Sequence, residues 1–435
     1  MKRNIFRPVL LISFLLCGLV QICIPLTSVA VTDQFKSESQ RLSRWLENNR
    51  DPRTGLPYSH VGDKRFEQWA ITYDAALTTL AYISINEIEP AARIMDFYLQ
   101  TPKVWRLGGV IEAYLTGEVI RSQDWTVRSG ANIWLALASY HLYKVTNIKT
   151  YLNFSEKIAA TVLALQNKSE DDPNHGGIPL GPPGSSENPG DQHFGYDTDK
   201  PSFHTVFSSE VTIDAYALFS FLYAETQEEK YLRSKELCLV WLKNNAYQPG
   251  RSYLFRGYHD SVVASDVQHW AISAMGPEIL NEIEADLPFK MIKFVEDHCV
   301  HEIEYVNNDS KTVTIRGVDF IDKKRAEDIG RSVMVSPEWT FQLANAYLRL
   351  EQYQAKKKKW RDVNALMQKR TGLLREMLKL AIENEGGLAY PYATLADAPI
   401  GHEFHTPKQG TLSTSGVAYG IMALQGFDPL APHEE

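Results

Sequence analysis

Glu210 and Asp214 lie one helical turn apart in the stretch SSEVTIDAYALF (208–219), so both carboxylates face the same way at the start of an otherwise apolar helix. Two neighbouring carboxyl groups can do general acid–base work when one keeps its proton and the other is ionised. Taken alone, this stretch is explained by helix capping, because unpaired first-turn N–H groups and the helix dipole favour a serine N-cap followed by an acid. The arrangement recurs, however. Asp74 stands early in TYDAALTTLAY, Asp266 follows Ser265 in SDVQHWAISAMG, and Glu338 follows Ser336 and Pro337 in SPEWTFQLANAYL. These acids can cooperate only if the fold brings their helix starts together.

The helical pattern after residue 30 contains two alternating kinds of segment. One kind is amphipathic, with a charged face, over 34–48, 90–99, 151–167, 230–244, 287–299 and 361–383. The other kind is apolar nearly all round and rich in small residues, and it begins at Thr72, Ser129, Ser208, Ser265, Ser336 and Ser413. Helices that are apolar on every side must be buried on every side. Strict alternation of the two kinds predicts an all-α chain, an (α/α)6 toroid of about twelve helices in which parallel inner helices are covered by an outer ring. All inner helices then start on one face, and the polar residues at their starts converge on a central hollow. Diglycines at Gly108, Gly176 and Gly386 precede inner helices and predict turns and short β-hairpins in long connections that wall the site.

The first thirty residues differ from the rest. Lys2, Arg3 and Arg7 precede an apolar run from Val9 to Leu26, and Ser28-Val29-Ala30 ends in small residues. This pattern predicts a secretory signal cleaved after Ala30, and hence a secreted or periplasmic protein; an uncleaved membrane anchor is the alternative. Residues 31–435 are expected to form a single catalytic-type domain, and a monomer. A net charge of -8 gives no electrostatic footprint for nucleic acid, and the basic run Lys356 to Lys359 reads as a solvated face. Cys238 and Cys299, the two cysteines left after cleavage, lie on apolar-periodic segments and read as buried thiols.

The YDAAL, SSEVTIDAYAL and DVQHW helix starts, with the diglycine turns, resemble the six-hairpin glycosidase superfamily of (α/α)6 enzymes over residues 32–428. The resemblance implies a carbohydrate partner and a catalytic acid and base at inner-helix starts or in adjoining loops. On that reading Glu210 is the proton donor, kept protonated by the apolar flanks Phe207 and Val211, with Asp214 in support. Asp74 or Asp266, nearer open water, is the ionised base. Sugar rings stack on aromatic faces and bond planar polar groups, which nominates Trp69, Tyr73, Trp125, Trp134, Trp270 and Trp339 with Arg128, Asn132, Gln268 and Glu338. Core packing is the competing reading for a Trp on a buried helix. The loop 171–205, rich in Gly, Pro and Asp, reads as a lid carrying His204.

The implied activity is an exported glycoside hydrolase acting on a polysaccharide or oligosaccharide. A polysaccharide lyase or sugar epimerase on the same toroid, or a carbohydrate-binding envelope protein without catalysis, are the alternatives. No cofactor is expected, since the chain has neither a phosphate loop nor a dinucleotide fingerprint. The HEFH segment (402–405) lacks the helical frame of a zinc pair, so no metal is expected either.

Overall fold

The computed structural model describes residues 33–116, 121–185, 202–306, 311–401 and 404–432. Thirteen helices lie among them: α1 (Asp33–Asn48), α2 (Thr72–Ser84), α3 (Ile88–Gln100), α4 (Ser129–Thr146), α5 (Lys149–Leu165), α6 (Ser209–Thr226), α7 (Glu229–Trp241), α8 (Ser265–Ile283), α9 (Leu287–His298), α10 (Lys323–Asp328), α11 (Pro337–Lys356), α12 (Trp360–Leu378) and α13 (Thr414–Gln425). The expected signal segment, residues 1–30, lies outside the described residues.

The apolar helices form a closed ring. α2 packs on α4, α4 on α6, α6 on α8, α8 on α11, α11 on α13, and α13 back on α2. Each also carries one amphipathic neighbour: α3, α5, α7, α9 and α12 cover α2, α4, α6, α8 and α11 in turn, and α1 covers α13. The chain is therefore an all-α (α/α)6 toroid. Burial explains the two sequence patterns: α4 is buried continuously from Ala131 to Tyr143, whereas α3 buries only Ala91, Ile94, Met95, Phe97 and Tyr98 along one stripe. Helices α4, α6 and α13 end on left-handed residues, Asn147, Gln227 and Gly426, whose N–H groups turn back to the last carbonyls.

Two helix boundaries differ from the sequence expectation. The outer helix expected over 361–383 stops at Leu378, because Ile382–Asn384 pairs with Gly387–Ala389 across the third diglycine. The inner helix from Ser265 continues past Gly276 to Ile283 after a break, with Gly276 at φ 77° and Pro277 unable to donate to the preceding turn.

The serines and threonines that open the inner helices act differently from caps. Ser208 occupies the N-cap position of α6 yet makes no side-chain cap bond, and Ser413 of α13 is the one inner-helix cap residue whose hydroxyl accepts from the first turn. Instead, the first N–H of each inner helix donates to a carbonyl in the loop leading to the next inner helix. Thr72 donates to Glu112, Ser129 to Leu180, Ser209 to Arg256, Ser265 to Phe320 and Thr414 to Ser59, all at 2.7–3.0 Å. Pro337 has no N–H, and there Ser336 Oγ donates to Tyr392 O at 3.0 Å. Hydroxyls double several stitches, Thr72 to Ile111 O and Thr414 to Tyr58 O, both at 2.7 Å. This lacing satisfies first-turn donors that would otherwise lack partners and fixes the loops to the face where all six helices begin.

The diglycines form the close approaches this lacing needs. Gly108 and Gly176 have positive φ of 80° and 90°, and a Cβ on Gly176 would stand 2.0 Å from Leu237 O. Short antiparallel pairs follow, among them Trp69–Ile71 with Ala113–Leu115, and His60–Val61 with Leu412–Ser413, which joins the first and last inner helices. Cys238 and Cys299 are buried free thiols.

Candidate active site

The site is built from two registers that repeat around the ring. The second residue of each inner helix is, in ring order, Tyr73, Gly130, Glu210, Asp266, Glu338 and Ser415. Three of these side chains meet: Tyr73 Oη donates to Glu338 Oε1 at 3.0 Å and Ser415 Oγ to Oε2 at 2.6 Å. Gln342, one turn along α11, adds a longer contact of 3.4 Å to Oε1. The second register is the set of stitched loop residues, Ser59, Glu112, Leu180, Arg256, Phe320 and Tyr392.

These registers gather acids and few bases. Burial raises the Glu210 carboxyl to about 7; Arg256 and Arg128 pull it down while Glu338 pushes it up. Burial likewise lifts Asp74 to about 8, against a hydrogen bond from Ser59 and with Glu338 and Glu112 adding to the rise. Glu112 reaches about 7, again through burial, eased by Arg128, whose Nε stands 3.9 Å from Oε2. Asp266 and Asp214 are held well above the carboxylate range by burial and then by Glu210. Glu338 is raised by burial, and the bonds from Ser415 and Tyr73 oppose the rise. A helix N-terminus contributes typically ~0.3–1 kcal/mol to a nearby anion, too little to offset this desolvation.

The depth of these groups differs from the sequence expectation, which placed Asp74 and Asp266 nearer open water than Glu210. Asp74 and Asp266 are 5% and 6% exposed, deeper than the half-buried Glu210, and no guanidinium offsets burial at Asp74. Glu210 is the least deeply buried of the three, with Arg256 and Arg128 easing its charge. Asp214 sits wholly buried below it, accepting from Trp134 Nε1 at 3.1 Å.

Other nominated residues separate into rim, floor and scaffold. Arg128 is at the rim, with its guanidinium 4.9 Å from the centre of the Phe203 ring. Trp69 and Trp125 are half-buried in the loops before α2 and α4. Trp134, Trp270, Tyr73 and Tyr419 form a packed aromatic floor, with Trp134 centred 5.3 Å from Trp270, 5.6 Å from Tyr73 and 6.2 Å from Tyr419. Trp339 is buried against Phe320 at 5.2 Å.

Asn132 and Gln268 are scaffold rather than sugar contacts, because their amides are consumed by backbone. Asn132 binds both polar groups of Val110, and Gln268 those of Leu254. His204 is exposed and bonds Ser202; its neighbour Phe203 is what reaches Arg128. Residues 186–201 of the expected lid, and His402 and Glu403, lie outside the described residues.

Sequence reasoning missed Ser59, Glu112, Arg256, Tyr392 and Ser415. The helix-start pattern could not reveal the four in loops, whereas Ser415 lay in a helix start and was passed over because it is not an acid; for Glu112 a further signal existed, since it and Leu180 each stand three residues after a diglycine. His60, also missed, is held to about 4 by burial, hence neutral near pH 7, and its ring lies 5.8 Å from that of Tyr392.

Solved structures share this (α/α)6 architecture at low sequence identity. Among solved structures, a sugar epimerase from a ruminal bacterium matches with a TM-score of 0.58 at 10% identity, over 91% of this chain and 99% of its own. A family 76 α-mannanase of Bacteroides thetaiotaomicron matches with a TM-score of 0.58 at 12% identity, over 90% of this chain and 95% of its own. An α-1,6-mannanase of Salegentibacter, in an inactive variant with two consecutive aspartates replaced and α-1,6-mannotriose bound, matches with a TM-score of 0.55 at 13% identity, over 91% and 99%. Comparison with sequence-family profiles and with curated proteins finds no match.

Proposed function

We propose that the protein is an exported glycoside hydrolase that cleaves a polysaccharide or oligosaccharide with Glu210 and Asp266 as its carboxyl pair. The observation that carries this reading is the pairing of these two groups at the starts of adjacent helices: burial raises both, Glu210 raises Asp266 further, and Arg256 and Arg128 ease the charge on Glu210. Asp266, deeper and protonated, donates to the departing glycosidic oxygen. Glu210, ionised and steadied by Arg256 and Arg128, activates water or attacks the anomeric carbon. The (α/α)6 neighbours that act on mannans and sugars support a carbohydrate substrate, and the segment 1–30 supports export. The one pair of consecutive aspartates in this chain is Asp171 and Asp172. Those residues stand on a turn held against α7 through Asn174 and Trp241, so the acids proposed here come from different helices.

Reducing-sugar release on a panel of neutral, amino and acidic glycans tests the reading. Asp266→Asn should lower hydrolysis of natural glycans by about two to four orders of magnitude and spare activated aryl glycosides, whereas Glu210→Gln should abolish both. Full activity in either variant would refute the pair. Conversion of a reducing sugar to its epimer without bond cleavage would replace hydrolysis by epimerisation.

A further inference from the structure

The basic run Lys356 to Lys359, read from sequence as a solvated face, forms the turn between α11 and α12 and is followed by Trp360 and Arg361. Residues 356–362 are exposed without a break. Lys358 stands at φ 58°, and bonds from its N–H to Ala355 O and from Lys359 N–H to Gln354 O, at 2.9 and 3.0 Å, hold the turn in one shape. Lys357 is engaged locally, since its Nζ bonds Tyr353 Oη and lies 4.0 Å from the centre of that ring. Lys358, Lys359 and Arg361 make no ion pair among the described residues, and Asp362 is the one acid in the stretch. Trp360, 48% exposed, is the one aromatic among the large apolar side chains on the described surface. A lone exposed apolar side chain means little. An indole set among unpaired cations is different, because Trp settles at headgroup level in a bilayer, with apolar faces and a donor at one edge.

The turn stands on the face opposite the hollow, because α11 begins at the hollow and ends at Lys356. The start of α1 is on that same face. Ser39, early in α1, accepts from Gln425 at the end of α13 at 2.6 Å, whereas Tyr58 and Ser59, beyond the end of α1, bond Thr414 at the start of α13. α13 in turn lies along α11, with Asn345 Nδ2 donating to Phe427 O at 3.3 Å. The chain therefore enters α1 from the side of the ring that carries the basic turn. The apolar run 9–26 precedes that entry, and residues 27–32 between them can span at most about 20 Å. Charge marks the same side, since the α6–α7 turn, across the ring from α13, carries Glu228 and Glu229 instead.

We propose that this side of the domain docks on an anionic lipid bilayer, with Trp360 at headgroup level and Lys358, Lys359 and Arg361 over lipid phosphates. The apolar run, the indole and the cations then meet one surface, and the hollow opens away from it. Each unpaired cation strengthens such an attachment by about fivefold, and salt screens the gain. The proposal stands apart from the glycan reading, since it uses no residue of the hollow.

Hydrogen exchange of the full chain tests this, read at residues 356–362 with vesicles of phosphatidylcholine and phosphatidylglycerol, with vesicles of phosphatidylcholine alone, and with dextran sulfate in solution. The first amides of α12 lack helix partners, so they exchange fast while the turn is in water. Anionic vesicles should slow them by at least about tenfold, raised salt should undo the slowing, and neutral vesicles and dextran sulfate should leave them fast. Lys358→Glu combined with Lys359→Glu should abolish the slowing and leave the circular dichroism spectrum and reducing-sugar release unchanged, because neither side chain reaches the hollow. Trp360→Ser should reduce the slowing by about tenfold. Equal slowing on neutral vesicles would remove the role of charge, and equal slowing by dextran sulfate would mark a site for soluble polyanions. Unchanged exchange on anionic vesicles would leave the turn in water, and each of these three results overturns the proposal.

Discussion

The two halves of the hollow treat the same kind of side chain in opposite ways. On the α11, α13 and α2 side, Glu338 accepts from Tyr73 and Ser415, and Asp74 accepts from Ser59. On the α4, α6 and α8 side, Gly130 contributes no side chain, and among the described residues Glu210 accepts no hydrogen bond and Asp266 accepts only from its neighbouring N–H. The first half is closed by its own bonds. The second keeps its acids for something else, and it is also where Arg128 and Arg256 stand. Hydrogen bonding to a carboxylate steadies its charged form, so the bonded half favours fixed geometry and the open half favours a mobile proton.

The comparison can be broken most severely at Gly130. A Cβ there would meet Val211 Cγ2 at 3.5 Å and Asp214 Oδ2 at 3.9 Å, which is ordinary contact. Gly130→Ala should therefore fold as well as the parent or better, since Ala is the stronger helix former. A bulkier Gly130→Val should fill the only gap in the second-residue register. Hydrolysis should fall stepwise, by about tenfold and then about a hundredfold, if the substrate lies over α4. Unchanged activity in both variants, with melting temperatures preserved, would show that the open half is not where substrate sits.

A smaller effect is expected from the bonded half. Tyr73→Phe and Ser415→Ala each remove one donor from Glu338, which should cost about 1 kcal/mol of stability in chemical denaturation and less than about tenfold in rate. A loss of activity matching that of Glu210→Gln would erase the distinction between the halves.

The toroid was legible because burial leaves a periodic trace: α2, α4, α6, α8, α11 and α13 are apolar all round in sequence and buried all round in space. Glu210, Asp266 and Glu338 were legible for the same reason, as charged exceptions at the start of buried helices. What could not be read was depth. Sequence places Asp74 and Asp266 at helix starts, as it does Glu210, yet only packing decides that the first two are further from water and the third is flanked by two guanidinium groups. Loop residues were hidden more completely. Glu112, Arg256 and Ser59 reach the hollow because backbone stitches hold them there, and those stitches join positions 40 to 355 residues apart. The hydroxyls that open the inner helices were visible, but their partners were not, so Ser208 resembled a cap it does not form.

The claim on which the rest depends is that Asp266 keeps its proton near neutral pH while Glu210 is the first of the pair to lose one. Carboxyl infrared difference spectroscopy across a pH titration, comparing the parent with Asp266→Asn and Glu210→Gln, observes this directly. The account predicts protonated carboxyl bands at neutral pH that lose one component in Asp266→Asn while those of Asp74 and Asp214 stay, and titrations near 7 from Glu210 and Glu112 of which only the first disappears in Glu210→Gln. In Glu210→Gln the Asp266 carboxyl should titrate at lower pH, because the charge that raises it is gone, whereas in Asp266→Asn the Glu210 titration should stay in place, because the neighbour it loses was already neutral. If every carboxyl in the parent has ionised by about pH 5, as unperturbed Asp and Glu do, the retained proton does not exist and the proposed acid–base pair is contradicted.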